Sequence, residues 1–226
     1  VLKSLARIYG RKTSRVITGE IEHSAVLRPC QAMEEVGFEV HRCGVDGEGR
    51  LRLNEFREAC EGAETGFSSI MWANNETGVI QPMGEAAQIA KENGIAFHTD
   101  AIQAVGKTVV NVREVPVDFL SISGHKFHAP KGIGALYLRE GVRFEPLIRG
   151  GGQEFGHRSG TENVAYIAGL GRAAALMKAA LEKDQHAEIS ANRDHLEERL
   201  CKEIEGVTLN GSREHRVPTC AHVSFE

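Results

Sequence analysis

A lysine with the right surroundings for covalent chemistry stands in SISGHKFH, residues 121–128. Lys126 follows Gly124 and His125, a tight turn closing an apolar run. In HTDAIQ, residues 98–103, another apolar run ends on a carboxylate, Asp100, 26 positions before Lys126. A lysine amine can form an imine with an aldehyde. A carboxylate can keep a pyridine nitrogen protonated, so that the ring accepts an electron pair. Those are the two parts a pyridoxal 5'-phosphate site needs. Taken alone, Lys126 would be a solvated loop lysine, and Asp100 the N-cap of a helix from Ala101 onward. Capping and ring contact are compatible in Asp100. For Lys126, the company of His98, Asp100, Gln103 and Asn75 favours the chemical reading.

Several neighbours suit the same ligand. Gln103 could donate to the phenolic oxygen of the ring. Ser123 and His125 can hold a phosphate, helped by backbone N–H groups, although an isolated His125 would more often be structural. His23 lies at a strand-to-helix junction in IEHSAVL, residues 21–27. Its imidazole could stack on a flat ring and move protons, or simply sit near a helix N-terminus. The histidines and cysteines show no metal-ligand spacing. VDGEGR, residues 45–50, reads as a turn and lacks the spaced oxygen ligands of a calcium loop.

The elements that must position these groups follow from periodicity and breakers. Strands are predicted at 15–18, 38–41, 67–73, 95–98, 118–123 and 133–138. Helices are predicted at 25–35, with Ser24 as N-cap, and at 53–60 and 84–93. Alternating strands and helices indicate a mostly parallel sheet flanked by helices, an α/β fold. Ligands in such sheets bind beyond the carboxyl ends of strands. Asn75, Asp100 and Lys126 all fall at such ends. Long helices are predicted at 163–183 and 184–205, then short strands at 207–209 and 220–225. The change near Asp184 suggests a large domain over 1–183 and the start of a smaller one over 184–226.

Composition narrows the classes. The net charge is -4 and no basic tract occurs, so nucleic acid is not an expected partner. No uninterrupted apolar stretch spans a bilayer, and the basic opening residues 1–15 lack a signal-peptide core. The five cysteines form no C-x-x-C pair and no disulfide framework, which suits a reducing cytoplasm. The chain starts on Val1 and stops in what reads as a strand barely begun, so truncation at both ends is expected.

Six stretches, in order along the chain, make a more specific match. They are IEHSAVL (21–27), MWANNETGVIQP (71–82), HTDAIQAVGK (98–107), SISGHKFHAPKGIGALY (121–137), GGGQ (150–153) and RSGTEN (158–163). The chain resembles the cysteine desulfurase (NifS-like) family, in the class V aminotransferase group of fold type I pyridoxal phosphate enzymes. The resemblance implies a Schiff base at Lys126 and Asp100 on the pyridine nitrogen. It implies Gln103 at the cofactor hydroxyl, His23 on the ring face, and Ser123 and His125 at the phosphate. Asn75 is similar to an asparagine near the cofactor hydroxyl and the substrate carboxylate. Thr161 matches a threonine reaching the phosphate of a partner subunit, which implies a homodimer. The implied reaction turns L-cysteine into L-alanine and leaves a persulfide on a mobile cysteine, for a sulfur acceptor such as an iron–sulfur scaffold or for tRNA thiolation. The family's acceptor cysteine and carboxylate-binding arginine are expected beyond Glu226. A selenocysteine lyase, or a cofactor-binding piece without catalysis, is the alternative.

Overall fold

The computed structural model describes residues 1–9, 14–63 and 66–226. Of the basic opening segment, residues 10–13 lie outside the described residues. The elements run α1 (Leu2–Tyr9), β1 (Arg15–Gly19), α2 (Ser24–Glu34), β2 (Glu39–Cys43), α3 (Leu53–Glu61), β3 (Gly66–Ser69), α4 (Met83–Glu92), β4 (Ala96–Asp100), β5 (Phe119–Ser123) and β6 (Gly134–Leu138). They continue with α5 (Val164–Glu182), α6 (Ala187–Glu203), β7 (Val207–Leu209) and β8 (Val223–Phe225). Single 3-10 turns occupy Gly124–Phe127 and Gln153–Gly156.

Among the described residues the main sheet has six strands in the order β2-β1-β3-β4-β5-β6. Every pairing is parallel except β5 with β6. The helices α2, α3 and α4 join successive parallel strands, as this geometry demands. Alternation along the strands feeds two cores. Val16, Phe67 and Phe119 go to the side of α1 and α2, while Ile17, Phe97 and Leu120 go to the side of α3 and α4. Both faces are covered, so the strands are apolar throughout rather than half polar. The α/β architecture expected from the sequence is therefore present.

The chain leaves β1 toward β2, then returns past β1 to make β3. This reversal opens a crevice at the carboxyl ends of β1 and β3, where open α/β sheets bind ligands.

Some local expectations shift. β3 ends at Ser69 rather than at residue 73, because Met71 gives its N–H to the Glu22 side chain instead of to a strand. His23, not Ser24, caps α2: its Nδ1 accepts from the N–H of Ala25. The opening helix α1 was not foreseen; its Leu2 and Leu5 are buried in the second core. α5, at 19 residues, is the one helix among the described residues long and apolar enough to cross a membrane by length and composition alone. Arg172 and Lys178 interrupt it, and it packs against the 3-10 turn that carries Lys126. A separate antiparallel pair, β7 and β8, follows α6.

Candidate functional site

Asp100 is the last residue of β4 and is buried. Its Oδ1 accepts from the N–H of Ile102, at 2.9 Å, so it caps a turn; the helix expected from Ala101 onward is not there. Burial pushes its carboxyl above the usual range, against that hydrogen bond and the opposing charge of His23. His23 and Asp100 are thus electrostatic neighbours, although they lie on different strand ends. Because a backbone N–H points at Nδ1 of His23, 3.1 Å away, a neutral ring carries its proton on Nε2.

Beside them sits Glu22, fully buried. Its Oε1 accepts from Met71 across the crevice, and its Oε2 has no partner. Burial drives its carboxyl well above the usual range; the charge of Asp100 adds to the push, and the Met71 bond opposes it. Two buried acids therefore meet here without an ion-pair partner among the described residues. That pattern is characteristic of ligand sites rather than of structural cores.

Asp100 is directly opposite Ser121 in the β4–β5 ladder. Two residues on, β5 ends at Ser123 and the chain enters the 3-10 turn with Lys126, which is exposed. Gly124 permits this turn. A Cβ there would come within 2.9 Å of Ala129 Cβ and 3.0 Å of Leu170 Cδ1. Ser123 Oγ and His125 Nδ1 lie 2.9 Å apart, so the two groups expected at a phosphate are already one unit.

After β4, Gln103 Oε1 accepts a hydrogen bond from Nζ of Lys107. Lys107 is half-buried. Burial lowers its pKa, and the charge of Lys126 lowers it further, while Cys220 acts in the opposite sense. Cys220 in turn donates to the carbonyl of Glu76, next to Asn75. Asn75 itself is exposed on the loop after β3. The loop is held by Asn74, whose Nδ2 donates to Ile21 O and whose Oδ1 accepts from Glu76 and Thr77. Hydrogen bonds and electrostatic influence thus link the ends of β1, β3, β4 and β5: Glu22 to Met71, His23 to Asp100, Lys107 to Gln103 and Lys126, and Cys220 to the loop that carries Asn75. Thr161 stands apart: it is exposed on the loop before α5 and makes no hydrogen bond to the others.

His98, which drew attention in sequence, is structural. It is buried between Ser69 Oγ, at 2.8 Å, and Ser121 Oγ, at 2.9 Å. Burial pushes its imidazole pKa down to about 3, so it stays neutral and ties three strands beneath the site. Three participants escaped the sequence reading. Asn74 carried an Asx-turn signal in its N-N-E-T-G context. Lys107 stood at i+4 from Gln103. Glu22 carried none, because its partner is 49 residues away.

The family model for aminotransferase class-V matches residues 1–226. The chain belongs to the class-V aminotransferase family. Within class V it is 48% identical, over 227 residues, to a cysteine desulfurase of Gluconacetobacter diazotrophicus, covering all of this chain and 56% of that protein. It is 44% identical over 228 residues to the cysteine desulfurase NifS of Azotobacter vinelandii, covering 55% of that protein. The chain spans about half the length of the curated relatives it matches. Among solved structures, a NifS-like protein superimposes with a TM-score of 0.93 at 37% identity, over 99% of this chain and 61% of that one. A second, SspA in complex with cysteine, gives 0.83 at 34% identity, over all of this chain and 62% of that one.

The donor set fits the cofactor that this class V membership brings into question. A phosphorylated pyridine aldehyde needs an amine, a buried acid for the ring nitrogen, a flat partner for the ring and donors for the phosphate. Lys126, Asp100, His23 and the Ser123–His125 pair are of those kinds. Among the described residues Asp100 is buried without a salt-bridge partner, as a site for a protonated ring nitrogen would be.

Proposed function

We propose that this protein is a pyridoxal phosphate-dependent cysteine desulfurase. The observation that carries the reading is the buried carboxyl of Asp100 at the end of β4, without a salt bridge among the described residues and set beside the strand that delivers Lys126. The cysteine desulfurases among its relatives supply the choice of reaction. When bound, pyridoxal phosphate supplies a protonated ring that takes up the electron pair released at the substrate's α-carbon.

The residues divide the remaining work. The amine of Lys126 would hold the cofactor and move a proton. Asp100 would keep the ring nitrogen protonated. His23 would serve the ring, with its Nε2 available for proton exchange with substrate. Gln103 would donate to the ring hydroxyl, and Asn75 would serve the hydroxyl and the substrate carboxylate. Ser123 and His125 would hold the phosphate. L-Cysteine is the substrate. L-Alanine leaves, and the sulfur passes to an enzyme thiol as a persulfide bound for an acceptor such as an iron–sulfur scaffold. Cys30, Cys43 and Cys60 are unsuited to that role, since burial pushes their thiols up to about 11, 12 and 12. The accepting thiol is assigned outside these residues.

A homodimer completes the reading. Phe155 is 97% exposed, and Val164 and Ile167 of α5 are exposed too, apolar side chains of the kind that partners cover. Thr161 lies on the loop between Phe155 and α5, from which it would serve the partner's phosphate. Residues 1–183 form the cofactor-binding domain in this reading, and 184–226 begin a smaller one. The five free thiols are in keeping with a cytoplasmic location.

The test is direct. Pyridoxal phosphate added to the protein gives a visible absorption band that Lys126→Ala abolishes. L-Cysteine with a thiol reductant then yields alanine and sulfide. No band from the unsubstituted protein overturns the cofactor assignment. A band with no alanine overturns the desulfurase reading alone.

A further inference from the structure

Lys107, like Glu22, is a group in the site to which the proposed chemistry gives no task. It lies four residues after Gln103, in the turn that follows β4, half-buried, with its Nζ bonded to the Gln103 amide. An ammonium has three donors and no acceptor. It can therefore meet only the oxygen end of an amide, whichever way that amide is drawn. The nitrogen end, Nε2, must then face the other way. An amide free to flip would offer a ring phenolate its oxygen as readily as its N–H, and the oxygen would repel it.

The surroundings of Lys107 restrict it further. Gly106, just before it, adopts φ +81, and a Cβ there would press within 3.0 Å of Phe127 Cβ and 3.1 Å of Met177 Cγ. The carbonyl of Gly106 accepts from His186 Nε2 at the start of α6, 2.9 Å away. The charged or titratable groups that meet Lys107 from other elements are Lys126, on the turn after β5, and Cys220, on the segment before β8. No carboxylate salt-bridges to Lys107 among the described residues. The ammonium is thus hydrogen-bonded to Gln103 and feels the like charge of Lys126.

We infer that Lys107 is a positioning residue: it fixes the Gln103 amide with Nε2 presented to the cofactor hydroxyl, and sets a second positive charge beside Lys126. The inference rests on the proposal that Gln103 meets that hydroxyl and Lys126 the aldehyde. Both effects act in one direction. An N–H donated to the ring oxygen stabilises its anionic form, and a nearby cation disfavours adding a proton to the nitrogen of Lys126. Together they keep the Lys126–cofactor linkage deprotonated to lower pH.

The experiment is a spectrophotometric pH titration of the protein loaded with pyridoxal phosphate, with the cofactor's Kd measured alongside. Lys107→Met is expected to raise the midpoint of the visible transition by about one pH unit, a tenfold change in proton affinity. Lys107→Arg, which keeps donors and charge, is expected to restore it. Gln103→Ala is expected to raise the midpoint too, and to add less than its full effect when combined with Lys107→Met. An unchanged midpoint in Lys107→Met, with the band intact, overturns the inference while leaving the cofactor assignment standing. No band in the unsubstituted protein overturns the assignment instead. If the Met variant does not fold, Lys107→Gln carries the same comparison, since it retains a donor toward Oε1 and drops the charge; a midpoint that stays put there and in Gln103→Ala also overturns the inference.

Discussion

At the carboxyl ends of β1 and β4, Glu22 and Asp100 bury their carboxyl groups without a salt-bridge partner, and one oxygen of Glu22 has no partner at all. Under α6 the opposite holds. The Arg216 guanidinium gives Nη1 and Nη2 to the two oxygens of Glu197, at 2.6 and 2.7 Å, and reaches Asp194 at 2.9 Å. Both Arg216 and Glu197 are almost wholly buried. The two regions bury comparable chemistry to different ends. The bidentate pair sets opposite charges against each other, although Arg216 Nε has no partner among the described residues, and it fixes the strand-like segment around residue 216 onto the helix. Lone acids keep their capacity for something that is not part of the polypeptide. Burial of charge alone identifies neither a site nor a strut; the presence of an opposite charge does.

Substitutions at the two regions should therefore fail differently. The largest effect is expected at Lys126, where Ala removes cofactor attachment and all turnover while the melting temperature of the cofactor-free protein stays close to its starting value. Next comes Glu197→Ala, which strands the Arg216 charge in the interior and should cost about 3–5 kcal/mol of stability in denaturant melts. Replacing both partners by apolar residues of similar size should recover most of that loss. Asp100→Asn should do the reverse of Glu197→Ala. Stability holds or rises slightly, because a raised carboxyl is removed, while turnover falls on the order of 100-fold. A large loss of stability in Asp100→Asn would make Asp100 a strut after all.

The pH response sharpens the contrast with smaller effects. His98 is held neutral, its pKa pushed down to about 3 from 6.5. The unfolded chain takes up that proton first, so stability is intact above pH 6.5 and drains away as pH falls toward 3. His98→Gln should flatten this acid slope, measured as melting temperature against pH. Glu22 is raised instead, from 4.5. Its contribution is whole below pH 4.5 and is lost as pH rises through its folded value. Glu22→Gln should flatten the loss of stability that sets in as pH rises above 4.5 and change little at pH 4. A wild-type slope that survives Glu22→Gln would mean the acid is already ionised and paired.

Much of the site was legible because strand ends are legible. Asp100 closes an apolar run and Lys126 follows a glycine turn, so their placement needed only local patterns. The mostly parallel α/β sheet followed from alternation of elements for the same reason. What escaped depends on partners distant in sequence. Residues 70–73 look like strand, and Ile70 and Trp72 still donate to His98 O and Asp100 O of β4, but pairing on the β1 side ends where Glu22, 49 residues earlier, takes the Met71 N–H. His23 rather than Ser24 caps α2, a choice between two adjacent acceptors that composition does not decide. The reversal that makes β6 antiparallel depends on Gly132 at φ +88, and one glycine in a glycine-rich stretch carries no sign of strand direction. α1 is short and basic, and its burial against α2 becomes visible only once the sheet exists.

The segment before β8 is sewn to the loop after β3 by two backbone bonds, Ile80 N–H to His215 O at 2.8 Å and Val217 N–H to Gly78 O at 2.9 Å. Arg216, between those stitches, is clamped to α6. Any swing of α6 must either tear both stitches, at about 1 kcal/mol each, or haul Gly78 and its neighbour Asn75 along. The wall of the crevice and the outlying helix are mechanically one lever.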